Sequence, residues 1–304
     1  MLAMTPRAPG QVEPTEVREP TAGADEAVVE VEAYSVNRGE TFLLQAPAPG
    51  WRPGKDVAGT VRTAAADGSG PTVGSRVVGH VPHSGWAQRV AASTSTLAVL
   101  PDAVTSARAA ALPLAGLTAL RLLRTAGSVL GRRLLITGAS GGVGHYLVEL
   151  ATAGGAEVTA VTATAERGER LREFGATTVR HVEDATGWFD VTMESVGGRS
   201  LVAARRKTDP AGAIIWFGQA GLQPVTLDFF DWVRGTAGAR IEAFHYGRGD
   251  QETGVDLATL VRLVVEERLH PEIGTLVPWQ QTPDVIDDIR GRRLRGNAVL
   301  EVQQ

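Results

Sequence analysis

Two periods of apolar spacing divide the chain. Over roughly the first hundred residues, short runs alternate apolar with polar, as in AVVEVEAYSV (27–36) and TVGSRVVGHV (72–81), and Pro and Gly clusters separate them. A period of two belongs to half-buried strands, so this part is predicted to be β-rich, in small antiparallel sheets or a barrel. From Ser106 the stretch SARAAALPLAGLTALRLLRTAG (106–127) is rich in Ala and Leu at helical spacing, and Gly127 suits a helix end.

A regular alternation follows. RLLIT (133–137), EVTAV (157–161), TTVRHV (177–182), FDVTMES (189–195) and GAIIWFG (212–218) read as strands. VGHYLVELATAGG (143–155), ERGERLREFG (166–175) and SLVAARRK (200–207) read as helices between them, the first two closed by glycines. ARIEAFHY (239–246) is the candidate for the last strand of the series. Strands alternating with helices of this length imply parallel pairing through right-handed crossovers, and so a doubly wound α/β sheet. The tail supplies a helix in DLATLVRLVVEERL, a short strand around TLVPW, a helix near 283–289 and a closing strand NAVLEV. The cluster Arg290, Arg292, Arg293 and Arg295 reads as the C-terminus of that last helix, with cations facing its dipole.

At 304 residues the chain is long enough for two domains with separate cores. Its 43% apolar and 21% charged residues are those of a globular protein. A net charge of -4 offers nucleic acid or an anionic membrane no basic field, so neither is an expected partner. The N-terminal MLAMTPRAPGQVEP lacks the apolar core of a secretion signal and no later run reaches the length of a membrane span, so a cytoplasmic location is the expectation. The chain has no cysteine, which removes disulfides and thiolate metal ligands from its chemistry.

Gly138, Gly141 and Gly144, in ITGASGGVGHYLVELA (136–151), fall between a strand and an amphipathic helix. A chain that turns straight from strand to helix must bend sharply, bring backbone amides to a pyrophosphate and pack the helix close to the sheet. A Cβ obstructs each of these, so the loop is read as a dinucleotide site. When the ligand is NAD, the second strand ends in a carboxylate that accepts from the adenosine ribose hydroxyls. That point falls here on Thr162, with no Asp or Glu from 158 to 165. The hydroxyls of Thr162 and Thr164, followed by Arg167 and Arg170, suit a 2′-phosphate instead, because guanidinium pairs with phosphate in bidentate fashion. NADP(H) is the expected cofactor.

With SVNRGE (35–40), GKDVAGTV (54–61), GWAQRVA (85–91), LPDAVTSARAAALPLAGLTAL (100–120), the glycine loop, ESVGG (194–198), GAIIWFG and the final RLRGNAVLEV in this order, the sequence resembles a known family. That family is the medium-chain dehydrogenase/reductase superfamily, in its zinc-free quinone oxidoreductase (zeta-crystallin-like) branch. The resemblance implies a Rossmann cofactor domain over 108–247, inserted in a β-rich, GroES-like catalytic domain made of 1–107 plus 248–304. It places the nicotinamide in a cleft between the two. By position, Thr118 matches a nicotinamide-side contact, and Gly141, Gly142 and Val143 match the pyrophosphate cradle. Ser195 and Val196 match the loop beside the adenosine, and Phe217 and Gly218 a loop closing over the cofactor. The expected assembly is a homodimer.

Zinc-dependent relatives carry a cysteine where this chain has Asn37 and a histidine where it has Lys55. A zinc site needs at least three protein ligands. His80 and His83 read as surface loop residues with no carboxylate or third imidazole beside them, so no metal is expected. The family often has Tyr where this chain has Trp86, Lys where it has Asn297, and an adenosine-side Tyr where it has Val182.

What remains is hydride transfer from NADPH to an acceptor that is electrophilic without Lewis-acid help, a quinone or an α,β-unsaturated carbonyl. The catalytic candidates are Asn37, which the resemblance points into the cleft as a hydrogen-bond donor to that acceptor, and Tyr246, which can donate a proton or stack on a ring. Phe229, Phe230 and Trp232 read as core or a subunit contact. Two further functions stay open: a pathway-specific enoyl reductase acting on a tethered or thioester-bound intermediate, and an NADPH-binding protein without turnover.

Overall fold

The cleanest alternation gives an eleven-residue strand in which Ala27, Val29, Val31 and Ala33 are buried while the intervening side chains keep some solvent. In the computed structural model, which describes residues 1–230, 239–247 and 252–303, two compact units are present: Met1–Leu117 with Gly249–Gln304, and Thr118–Arg248. The division falls inside a helix, ten residues after the boundary expected at 107/108 (117 against 107).

The first unit opens with an antiparallel pair, β1 (Leu2–Ala8) and β2 (Gln11–Glu16). Then come β3 (Glu26–Val36), helix α1 (Arg38–Leu43), β4 (Asp56–Thr63), β5 (Arg76–His80), β6 (Arg89–Ser93) and β7 (Leu97–Val99). Two helices end this part, α2 (Ser106–Ala110) and α3 (Pro113–Ala126). The 106–127 stretch is thus divided, because Pro113 has no N–H to give a preceding turn and its ring starts a new helix at its own φ. Gly127 follows α3 at φ +75°, the left-handed residue of a helix end.

Among the described residues the second unit holds six strands: β8 (Arg133–Ile136), β9 (Glu157–Val161), β10 (Thr177–Val179), β11 (Phe189–Glu194), β12 (Thr208–Trp216) and β13 (Arg240–Ala243). They pair in the order β10-β9-β8-β11-β12-β13, all parallel, which is the doubly wound pattern with its reversal between β8 and β11. Helices α4 (Gly142–Ala153), α5 (Glu169–Glu173) and α6 (Gly198–Lys207) connect them. The expected 166–175 helix is a 3-10 turn (Glu166–Gly168) followed by the short α5. The expected strand 177–182 stops at Val179, and Val182 instead packs with Leu135, Phe189 and Ala204 in a small core.

The chain then returns to the first unit with α7 (Thr253–Val265), β14 (Ile273–Pro278), α8 (Thr282–Arg290) and β15 (Asn297–Glu301). Its larger sheet has the order β14-β15-β3-β4-β5-β7, with β6 also on β3; only β14 and β15 pair in parallel. Trp279, Ile286, Leu300 and Val302 from the tail share one core with Val29, Val57, Val77 and Trp86. Both chain ends therefore build one hydrophobic interior, and neither part could bury its apolar face alone. Trp86 stacks on Tyr34 (centroids 5.8 Å apart) and its indole N–H donates to Ser35 O at 3.0 Å, so the departure from Tyr at that position is a packing feature. Asn297, where the family often has Lys, is buried and donates twice to Glu272 O (2.7 Å from its backbone N–H, 3.2 Å from Nδ2). Among the arginines after α8, Arg293 pairs with Asp288 at 2.6 Å and Arg295 with Glu272 at 2.8 Å, so two of them serve specific partners as well as the helix end. No helix among the described residues is long and apolar enough to cross a membrane.

Candidate functional site

The glycine loop occupies the turn from β8 into α4, beside the reversal of strand order. Gly138 takes φ +61°, and a Cβ there would stand 2.5 Å from Ser195 Oγ. A Cβ on Gly144 would come within 2.3 Å of Ala139 O, so α4 can approach the turn only with glycine at this point. Gly141 differs, because a Cβ on it would meet only Gly138 O at 3.5 Å, and the residue is exposed. The first carbonyl of α4 to be used is that of Gly141, by His145 N at 3.1 Å. The amides of Gly142, Val143 and Gly144 therefore have no partner inside the helix and sit at the positive end of its dipole, as a pyrophosphate requires.

Beyond β9, Thr162 is buried and donates its hydroxyl to Thr164 O at 3.0 Å, while Thr164 Oγ1 accepts from Arg167 N at 3.3 Å. These bonds shape the turn that carries the half-buried Arg167. A 2′-phosphate fits this end of the strand better than ribose hydroxyls alone, since the turn offers hydroxyls and a guanidinium and no carboxylate up to Ala165.

Ser195 and Val196 follow β11, half-buried, and lie against the glycine loop: Ser195 N donates to Thr137 Oγ1 and Ser195 Oγ to Thr137 O, both at 2.9 Å. Phe217 N donates to Glu194 O at 2.9 Å, and a Cβ on Gly218 would stand 3.0 Å from Ser195 O. The structure thus gathers Gly138, Ser195, Val196, Phe217 and Gly218 at the ends of three neighbouring strands. Glu194, part of the ESVGG motif but given no role by the sequence, is fully buried among them. Its signal was a carboxylate closing an apolar run just before two glycines. Thr118 is buried in α3. Tyr246 is half-buried and stacks on His245 (centroids 5.5 Å apart), and its carbonyl accepts from Arg121 Nη1 at 2.9 Å. The buried Arg121 was likewise not singled out in the sequence.

Asn37 lies in the first unit, as the N-cap of α1, where Glu40 reaches back to accept from Asn37 N at 3.0 Å. Its Nδ2 donates to Asp56 Oδ2 at 2.7 Å and to Ser35 Oγ at 3.1 Å. A carboxylate can only accept, so the orientation of the amide is fixed. The expected donor role therefore meets a prior commitment of both N–H bonds. Asp56, buried, also takes Ser35 Oγ at 2.7 Å, His80 Nδ1 at 3.0 Å and Leu114 N at 3.0 Å. The reading of His80 as a surface loop residue without a carboxylate is corrected here: it ends β5, is buried, and pairs directly across from Asp56. His83 is exposed, with Ser84 Oγ 2.8 Å from its Nδ1. Burial, and next the Asp56 charge, push the Glu40 carboxyl up to about 8, against hydrogen bonds from Asn37 N and Gly54 N. Lys55 is half-buried. Phe229 and Phe230 are exposed, which removes them from the core; Trp232 lies outside the described residues.

Residues 142–260 match the family model described as zinc-binding dehydrogenase. A polyketide synthase of Mycobacterium tuberculosis, mycocerosic acid synthase-like, is 28% identical over 92% of this chain, which spans 14% of that protein. The chloroplast envelope quinone oxidoreductase homolog of Arabidopsis thaliana is 35% identical over 63% of this chain and 62% of its own length. This chain thus spans less than two thirds of either relative. A mycobacterial structure complexed with NADPH superposes with a TM-score of 0.89, covering 99% of this chain and 100% of the other at 25% identity. With an open glycine turn at the reversal of a parallel sheet and a β-rich unit formed from both chain ends, the chain shares the fold of that structure and resembles the medium-chain dehydrogenase/reductase superfamily.

Proposed function

We propose that this chain is an NADPH-dependent reductase of quinones or α,β-unsaturated carbonyls that needs no metal ion. The observation that carries the reading is the open first turn of α4 at the sheet reversal, with Thr162 and Arg167 in place of a carboxylate after the next strand. Gly141, Gly142, Val143 and Gly144 would hold the pyrophosphate and Thr162 and Arg167 the 2′-phosphate. Thr118, Ser195, Val196, Phe217 and Gly218 would line the rest of the dinucleotide. NADPH, when bound, supplies a hydride. Conjugation in a quinone or enone spreads the arriving charge onto oxygen, so the protein need only orient the partners and exclude water. The side chains agree with chemistry free of a metal: the positions of two zinc ligands are Asn37 and Lys55, and among the described residues no three His, Asp or Glu converge as ligands. Asn37, held by Asp56, would donate to the acceptor's oxygen by exchanging its longer bond to Ser35 Oγ, and Tyr246 offers a phenol as proton donor or ring platform.

The test is loss of the reduced-nicotinamide absorbance band with a panel of free quinones and enones. Turnover with several of them is the expected result. If no acceptor oxidises bound NADPH, the chain is a binding protein. A second reading, an enoyl reductase for tethered substrates, draws on the polyketide synthase likeness over 92% of this chain. Turnover of a carrier-bound enoyl thioester with none of the free acceptors would decide for it. A cytoplasmic homodimer completes the proposal, checked by sedimentation velocity and cell fractionation.

A further inference from the structure

The parallel sheet reverses between β8 and β11, and each of these strands turns into a helix that opens on glycine, α4 and α6. The two turns are not alike. At α4 the first-turn amides are open, whereas the turn into α6 is closed on a carboxylate. Glu194 Oε1 accepts from Thr137 Oγ1 (3.0 Å) and Ser200 Oγ (2.7 Å), Oε2 accepts from Gly197 N (2.9 Å), and Val196 N lies 3.2 Å from both oxygens. A fully buried carboxylate is costly unless its lone pairs are met, and here four groups meet them. Two of the donors are backbone amides leading into α6 and one is a hydroxyl of its first turn, so the anion sits where the α6 dipole favours it. The fourth, Thr137, immediately precedes Gly138 and also accepts from Ser195 N at 2.9 Å. The carboxylate therefore joins the end of β8, at the root of the glycine loop, to the start of α6.

We propose that Glu194 is a positioning residue for the dinucleotide: it is the built-in anion of the β11–α6 turn, locking that turn to the glycine loop so that the pyrophosphate is received at α4. The inference rests on the cofactor reading above. Its test is calorimetric titration of NADPH into wild type, Glu194→Gln, Ser200→Ala and Thr137→Val, each checked for folding by circular dichroism and thermal melting. Glu194→Gln turns an N–H toward groups that already donate, and is expected to weaken NADPH by about tenfold or more. At saturating NADPH its kcat should stay within about twofold, so that the loss shows in KM. Ser200→Ala and Thr137→Val remove one donor each and should weaken binding by smaller factors. A folded Glu194→Gln that binds NADPH as wild type does overturns the proposal. Should that variant not fold, unchanged affinity in both Ser200→Ala and Thr137→Val overturns it equally. A wild type that takes up no NADPH defeats the cofactor reading instead.

Discussion

His80 Nδ1 lies 3.0 Å from Asp56 Oδ1, across the antiparallel pair of β4 and β5. The contact is one of four that converge on the Asp56 carboxylate, with Ser35, Asn37 and the Leu114 amide as the others. Because Leu114 is in the first turn of α3, Asp56 ties β4 to the start of that helix. Removing the carboxylate leaves buried donors without partners. Asp56→Ala is expected to lower stability by about 3 kcal/mol, and His80→Phe, which removes a single donor, by about 1 kcal/mol. Urea denaturation midpoints should fall in that order, and an Asp56→Ala midpoint equal to wild type would remove the network from the account.

Glu40 gives the protein a pH dependence whose sign is fixed. Its carboxyl is raised from 4.5 to about 8, first by burial and then by the Asp56 charge. Between those two values the folded chain keeps a proton that the unfolded chain has released, so this contribution is complete below 4.5, declines as pH rises and is lost above about 8. Glu40→Gln has no such proton. Chemical denaturation at about pH 5 and about pH 8 should show a larger fall in stability for wild type than for Glu40→Gln. Equal falls in the two proteins would mean that Glu40 is not held protonated.

The parallel sheet was legible because its strands are short apolar runs separated by amphipathic helices, and EVTAV coincides with β9. The pairing of β3 with the tail was not a matter of pattern; only the family resemblance pointed to the split unit, since a period of two says nothing about which strand lies alongside. The same gap hid the His80–Asp56 pair, because only the β4–β5 register sets the two residues opposite each other. Asn37 was singled out as a catalytic candidate, but the direction of its hydrogen bonds depends on Ser35 and Asp56, which neighbour it through the turn and the sheet. Glu194 escaped because a charged residue at a strand end ordinarily faces water, whereas here it faces two amides and two hydroxyls.

Gly144 and Gly141 separate the fold from its ligand. Gly144→Ala would press a methyl group to 2.3 Å from Ala139 O, forcing α4 off the turn, and should cost about 2–3 kcal/mol of stability together with NADPH binding. Gly141→Ala meets nothing closer than 3.5 Å, and its φ of -84° suits alanine. Thermal melting should therefore leave Gly141→Ala close to wild type while calorimetry finds NADPH weakened by about tenfold or more, because the methyl group would take the space that the proposed function gives to the phosphate. Wild-type affinity in Gly141→Ala would place the pyrophosphate elsewhere.

On the proposed reading, Arg167 sets the choice between the two nicotinamide dinucleotides. It stands in the turn after β9, which Thr162 and Thr164 shape through their hydroxyls, and the chain up to Ala165 offers no carboxylate to a ribose. A guanidinium facing a phosphate dianion contributes a charge-assisted pair that NADH cannot make. Arg167→Glu replaces that attraction with repulsion, so NADPH should weaken by about a hundredfold while NADH, which presents only hydroxyls there, changes by less than about threefold. The ratio of the two dissociation constants, measured on one preparation, cancels any general loss of fold. If both dinucleotides weaken equally, the side chain supports the turn and does not read the phosphate.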